Sequence, residues 1–149
     1  MNPQAVSEFA QAQNEMEMGA FKRAIAGFHR ALSWSESEAE HVAALLGWGR
    51  ACQGLGDYAQ ACLQLRAALA ICQQGENVPP SVTATCLHAL GQSLLGLGCF
   101  RDAQLHLELA LRLRIQALGP THAGSLSTLF CLGLTHHRHV NAGRAQRLD

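Results

Sequence analysis

Along most of the chain the apolar positions recur at intervals of three and four, the period of a helix buried along one stripe. The clearest stretch is Leu87 to Leu111, LHALGQSLLGLGCFRDAQLHLELAL. Leu87, Leu90, Gly91 and Leu94 share one face of a first helix; Phe100, Ala103, Leu107 and Ala110 share one face of a second. Gly98-Cys99-Phe100 separates the two. Gly91 and Ala103 carry little or no side chain, so two backbones can approach closely there. The stretch predicts a helix–turn–helix unit.

The unit recurs. Leu45, Trp48, Gly49 and Cys52 precede Gly56-Asp57-Tyr58, then Ala61, Leu65 and Ala68. Ala12 precedes Gly19-Ala20-Phe21, then Ala24, Phe28 and Ala31. Leu129, Leu132, Gly133 and His136 precede Ala145. The marker alanines Ala24, Ala61, Ala103 and Ala145 lie 37, 42 and 42 residues apart. A period in this range with paired helices marks a solenoid, in which each unit buries its apolar stripe against the next.

Local signals place the boundaries. Pro3 suits a first helical position, giving a helix over Gln4–Met18 and a partner over Phe21–Trp34. Ser37 with Glu40 three residues on is a capping box. It opens a second pair that turns at Gly54-Leu55-Gly56 and returns over Tyr58–Gln73. Gln74 to Pro80 reads as a linker, because glycine ends a helix and proline cannot continue one. The third pair starts at Pro80 or Ser81, turns at Gly96-Leu97-Gly98 and returns over Phe100–Leu118. Gly119-Pro120 stops it, and Thr121 or His122 begins a last unit. That unit is expected to turn at Val140-Asn141-Ala142-Gly143 and to break off at Asp149, inside its second helix. Two expectations follow: the chain is a piece of a longer array, or its open end pairs with a second copy.

The pattern Leu-x2-Leu-Gly … Gly-x-Phe/Tyr-x2-Ala-x3-Leu/Phe-x2-Ala-Leu resembles the tetratricopeptide repeat across nearly the whole chain. The third and fourth units resemble the long variant found in kinesin light chains, with Ala110-Leu111-Arg112-Leu113-Arg114 and Leu118-Gly119-Pro120-Thr121-His122 at the inter-repeat join. The resemblance implies an all-α, right-handed solenoid of antiparallel helix pairs. It would be a single domain over residues 1–149 with repeats at about 5–38, 42–75, 84–118 and a partial one at 126–149. It also implies a concave surface lined by the first helix of each repeat. Counting from Ala5, Val42, Ala84 and Leu126 places Val6, Phe9, Gln13 and Met16 on that surface, then Ala43, Leu46, Arg50 and Gln53. The third repeat adds Thr85, His88, Gln92 and Leu95, and the fourth Ser127, Phe130, Leu134 and His137.

Gln13, Arg50 and Gln92 hold equivalent places in three repeats. In many family members an amide there bonds the backbone of an extended peptide. Glutamine can both donate and accept, and Arg50 adds a planar fork for a carboxylate. Phe9, Gln53, His88 and Phe130 would complete a peptide groove. The chaperone-binding clamp of the family needs Lys and Asn where Phe9 and Gln13 stand, so acidic chaperone tails are not the expected ligand.

Composition narrows the reading. Apolar residues make up 48% of the chain and charged ones 15%, enough to build a core. Formal net charge is zero, which gives no basic footprint for nucleic acid. No apolar run approaches the ~20 residues of a membrane span. The start, Met1-Asn2-Pro3-Gln4, does not read as a secretory signal. Cys52, Cys62, Cys72, Cys86, Cys99 and Cys131 are spread without a Cys-x-x-Cys pair. They read as reduced, buried small hydrophobes, Cys99 as a turn residue packed under the next repeat, and cytoplasmic is the default compartment. His136 and His139 share a helical face, but a metal site needs three or four ligands, so no metal or cofactor is assigned. No spacing sets a nucleophile beside a base, and no catalytic residue or enzymatic activity is assigned. The expected function is a protein-interaction scaffold holding a peptide or partner helix in the groove. The alternative is a sensor or oligomerisation module of a larger bacterial regulator.

Overall fold

The computed structural model describes residues 2–75 and 77–148. Glu76 of the expected linker and Asp149, the expected end of the last helix, lie outside the described residues. Seven helices make up the described chain: α1 (Pro3–Glu17), α2 (Phe21–Trp34), α3 (Glu38–Gly54), α4 (Tyr58–Gln74), α5 (Pro80–Gly96), α6 (Phe100–Leu118) and α7 (Ala123–Leu148). Each helix packs on the next. In addition α1 touches α3, α3 touches α5 and α5 touches α7, whereas no even-numbered helix reaches another. The odd helices therefore crowd together on the inside of a curve and the even ones splay on its outside. The fold is an all-α solenoid, and its concave side belongs to α1, α3, α5 and α7.

Chemistry at the helix ends accounts for the hairpins. The Asn2 side chain accepts from the Gln4 amide at 2.9 Å, Ser37 Oγ from the Glu40 amide at 3.2 Å and Asp57 Oδ1 from the Gln60 amide at 3.2 Å. Each satisfies a donor that the helix itself leaves unpaired. The three hairpin turns are alike. Gly19, Gly56 and Gly98 take φ of 77°, 77° and 78°, and the next amide reaches back five residues: Ala20 to Glu15 O, Asp57 to Cys52 O, Cys99 to Leu94 O. This is the left-handed helix stop that glycine alone adopts cheaply.

The fourth turn does not form. The repeat-equivalent of Gly98, 42 residues on, is Val140, and a β-branched residue resists positive φ. α7 therefore runs unbroken through Val140–Gly143 to Leu148, correcting the expected short helix pair. Ala145, expected as the fourth buried marker, is exposed, while Ala24, Ala61 and Ala103 are fully buried.

The hairpins nest through small residues. A Cβ placed on Gly49 would lie 2.6 Å from Leu65 Cγ, and one on Gly91 would lie 2.5 Å from Leu107 Cγ. The aromatic after each turn packs against the following repeat. Phe21 occupies the space a Cβ would need at Gly54, and Tyr58 does so at Gly96. At the next joint Arg138 stands where the glycine would be, and His139 stacks on Phe100 at 5.5 Å instead.

Candidate functional site

The concave side carries hollows at two inter-repeat seams. At the seam of α1 and α3, one hollow of about 240 Å³ is almost wholly apolar, lined by Ala5, Val6, Phe9, Ala31, Ala39 and Ala43 among others. It adjoins a second of about 220 Å³, which shares Phe9 and Ala43 and adds Gln13, Met16, Glu17, Leu46 and Arg50. Phe9 is held in place edge-on to the buried Phe28, with ring centroids 5.6 Å apart. The second seam, between α5 and α7, holds a shallower hollow of about 420 Å³. It is lined by Gln53, Tyr58, Gln92, Leu95, Phe130, Leu134 and Arg138, with others. Phe130 stands 71% exposed there, a large cost in apolar surface left to water.

The expected site residues thus divide. Phe9, Gln13 and Arg50 meet in one hollow; Gln53, Gln92 and Phe130 meet in the other. Gln13, Arg50 and Gln92 are all exposed on the inner helices. Among the described residues the ion pair present is Arg30 to Glu8, at 2.9 Å on the α1–α2 hairpin; Arg50 forms none, although Glu17 lines the same hollow.

Two expected contact residues hold the scaffold instead. Gln53 Nε2 donates to Ala89 O at 2.8 Å and Ser93 Oγ at 2.7 Å, clasping α3 to α5. His88 is a correction: it is 6% exposed, turned into the α5–α7 seam rather than the groove. Its Nδ1 lies 3.0 Å from Thr128 Oγ1. Thr128 also accepts from Arg114 Nη1 at 2.9 Å, and Arg114 donates again to Gly124 O at 3.1 Å. Burial, then the charges of Arg114 and Arg50, push the His88 pKa from 6.5 down to about 4. Cys131 Sγ lies 4.0 Å from His88 Nε2, but burial raises the thiol's pKa. Both groups are held neutral, the reverse of the charged pair that makes a nucleophilic cysteine.

The sign of the His88 shift sets a pH dependence. The folded imidazole binds its proton more weakly than the unfolded one, so folding loses stability as pH falls below about 6.5 and the loss levels off below about 4. Urea midpoints measured from pH 7 to pH 4 are expected to drop more steeply for the wild type than for His88→Gln. Parallel curves would remove His88 from this role.

The inner seam of α7 escaped the sequence reading. Ser125, Thr128, Cys131 and Thr135 face inward, at 1%, 0%, 7% and 1% exposure. Leu126 and Leu129, the apolar pair expected inside, are 48% and 53% exposed. The hydroxyls are satisfied: Ser125 donates to Gly119 O at 2.8 Å and Thr135 to Cys131 O at 2.7 Å. The available signal was their spacing of three, three and four. Cys99, expected under the next repeat, is exposed, while the other five cysteines are buried and free.

No helix among the described residues is long and apolar enough to cross a membrane. No curated protein sequence matches the chain. Among solved structures it is similar to the crystal structure of the apo form of RapI, with a TM-score of 0.84 at 19% identity. That match covers 97% of this chain and 53% of RapI, so the chain spans about half of RapI's length. Residues 83–124 match the sequence profile of the tetratricopeptide repeat family. The match lies on the stretch where the Gly91 notch and the Gly98 turn define the unit, and that unit recurs through the stack. Residues 83–124 thus carry a tetratricopeptide repeat, set in an all-α solenoid with a fold like that of RapI.

Proposed function

We propose that the protein is an interaction scaffold whose concave face holds an extended peptide or partner helix. The observation that carries this is the convergence of Phe9, Gln13 and Arg50 on one inner hollow, with the apolar hollow beside it. An aliphatic side chain of the partner would enter the apolar hollow, Gln13 would bond the partner's backbone, and Arg50 would take a carboxylate. Gln92 and Phe130 offer an amide and an aromatic face one seam further along. Apolar anchors and backbone contacts together are how such grooves read extended chains. The buried free thiols suit a reducing compartment such as the cytoplasm.

The test is affinity capture from native extract with the wild type and with Arg50→Ala/Gln92→Ala. Both substitutions lie on exposed inner positions, so the melting temperature should stay within a degree or two. The captured partner is expected to disappear with the double variant. Equal recovery would move the site off the concave face. The second reading is a sensor or oligomerisation module of a larger regulatory protein. It predicts that the same groove binds a free signalling peptide.

A further inference from the structure

We infer that the outer face of α7 is a docking site for one amphipathic helix, received in the way α5 receives α6. This goes beyond the groove reading and uses a different surface. Shifting α5 by 42 residues superimposes its pattern on α7: Ala84 on Leu126, Leu87 on Leu129, Gly91 on Gly133. On α5 those positions are covered, with Ala84 at 1% and Leu87 at 2% exposure. On α7 they are open, with Leu126 at 48% and Leu129 at 53%. The notch at Gly91 is filled by Leu107 and that at Gly49 by Leu65, whereas a Cβ on Gly133 would meet nothing within 4 Å.

The chain itself specifies what fits such a notch. Three helices fill this place: α2 with Ala24-x3-Phe28-x2-Ala31, α4 with Ala61-x3-Leu65-x2-Ala68 and α6 with Ala103-x3-Leu107-x2-Ala110. All nine residues are 0–2% exposed. On α4 and α6 the central leucine enters the glycine notch of the helix before it, whereas opposite α2 that place is Ala12 and Phe28 lies against Gly47 of α3; the flanking alanines let the backbones close. Charge sets the partner's other feature. α7 contains no Asp or Glu, and from His136 onward it carries Arg138, Arg144 and Arg147. A mate running antiparallel, as α6 runs to α5, would lay its first turns beside that basic half. The occupant is therefore a helix with acidic first turns followed by small-x3-Leu-x2-small. Asp102 already puts an acidic group in the first turn of α6.

The probe is a fluorescein-labelled synthetic peptide with the sequence of residues 100–118 carrying Arg101→Glu, which makes its first turn acidic, titrated with the whole protein and read by anisotropy. Saturable binding is expected. It should weaken at least tenfold with Gly133→Leu, whose side chain fills the notch, and equally when the peptide carries Leu107→Ala. Gly133→Leu should not lower the protein's own melting temperature, since nothing lies where its side chain begins and leucine favours the helix over glycine. Arg50→Ala/Gln92→Ala should bind the peptide as the wild type does, which keeps this surface distinct from the groove. Absence of saturable binding, or equal binding to Gly133→Leu, would overturn the inference. So would a wild-type dimer in sedimentation that Gly133→Leu converts to monomer, because the occupant would then be a second copy.

Discussion

Leu107→Ala is expected to lower the unfolding free energy by about 2–5 kcal/mol, the range for emptying a fully buried leucine site. Leu107 is 0% exposed, and its branch point occupies the space a side chain at Gly91 would need. Ala103 and Ala110, on the same face of α6, are also fully buried, so neither can reach into the void. The surrounding backbones are already in close approach, and the site has little room to collapse. A urea melt followed by circular dichroism reads the effect as a lower midpoint. Leu109→Ala on the same helix, at 39% exposure, serves as the control and should cost well under 1 kcal/mol. Equal midpoints for the two variants would mean that the helix-face assignment is wrong.

The second large effect is a pair of opposite sign at repeat-equivalent positions. Gly91→Ala should destabilise by about 1–3 kcal/mol, because its Cβ would lie 2.5 Å from Leu107 Cγ and 2.7 Å from Cδ2. The branch point of a packed leucine cannot swing aside as a chain end can. Gly133→Ala adds the same methyl group to the same place in the pattern, yet meets nothing within 4 Å. There only the intrinsic preference of alanine for the helix remains, and about 0.5–1 kcal/mol of stabilisation is expected. Thermal melts of the two variants, run in parallel, should shift in opposite directions. A common direction would show that α7 is packed on both faces or that α5 is less tightly held than the distances indicate.

The residues that were legible in advance are those whose behaviour is decided within a few positions of the chain. The starts of α2 at Phe21 and of α6 at Phe100, and the end of α6 at Leu118, agree with the expectation, because glycine with positive φ stops a helix whatever lies around it. The cap at Ser37 is local in the same sense. The groove was legible only in part. Phe9, Gln13 and Arg50 converge as the repeat register implied, whereas His88 is drawn inside by Thr128, forty residues away. Gln53 is likewise drawn to the backbone of α5 by a carbonyl and a hydroxyl that the next repeat supplies.

α7 shows where local reading stops. Its hydrophobic period pointed to Leu126 and Leu129, yet the face that packs is Ser125, Thr128, Cys131 and Thr135. A helix offers several faces, and burial goes to the one its neighbours cover. What the amino-acid order determined alone was the helix pairs, their turns and the small-against-large contacts, since these depend on backbone preference and side-chain volume. What the tertiary structure decided was which face of α7 lies inside, that Val140 carries the helix onward, and that His88 belongs to the interior. Those outcomes depend on which helices are present to remove a surface from water, and no single segment contains that information.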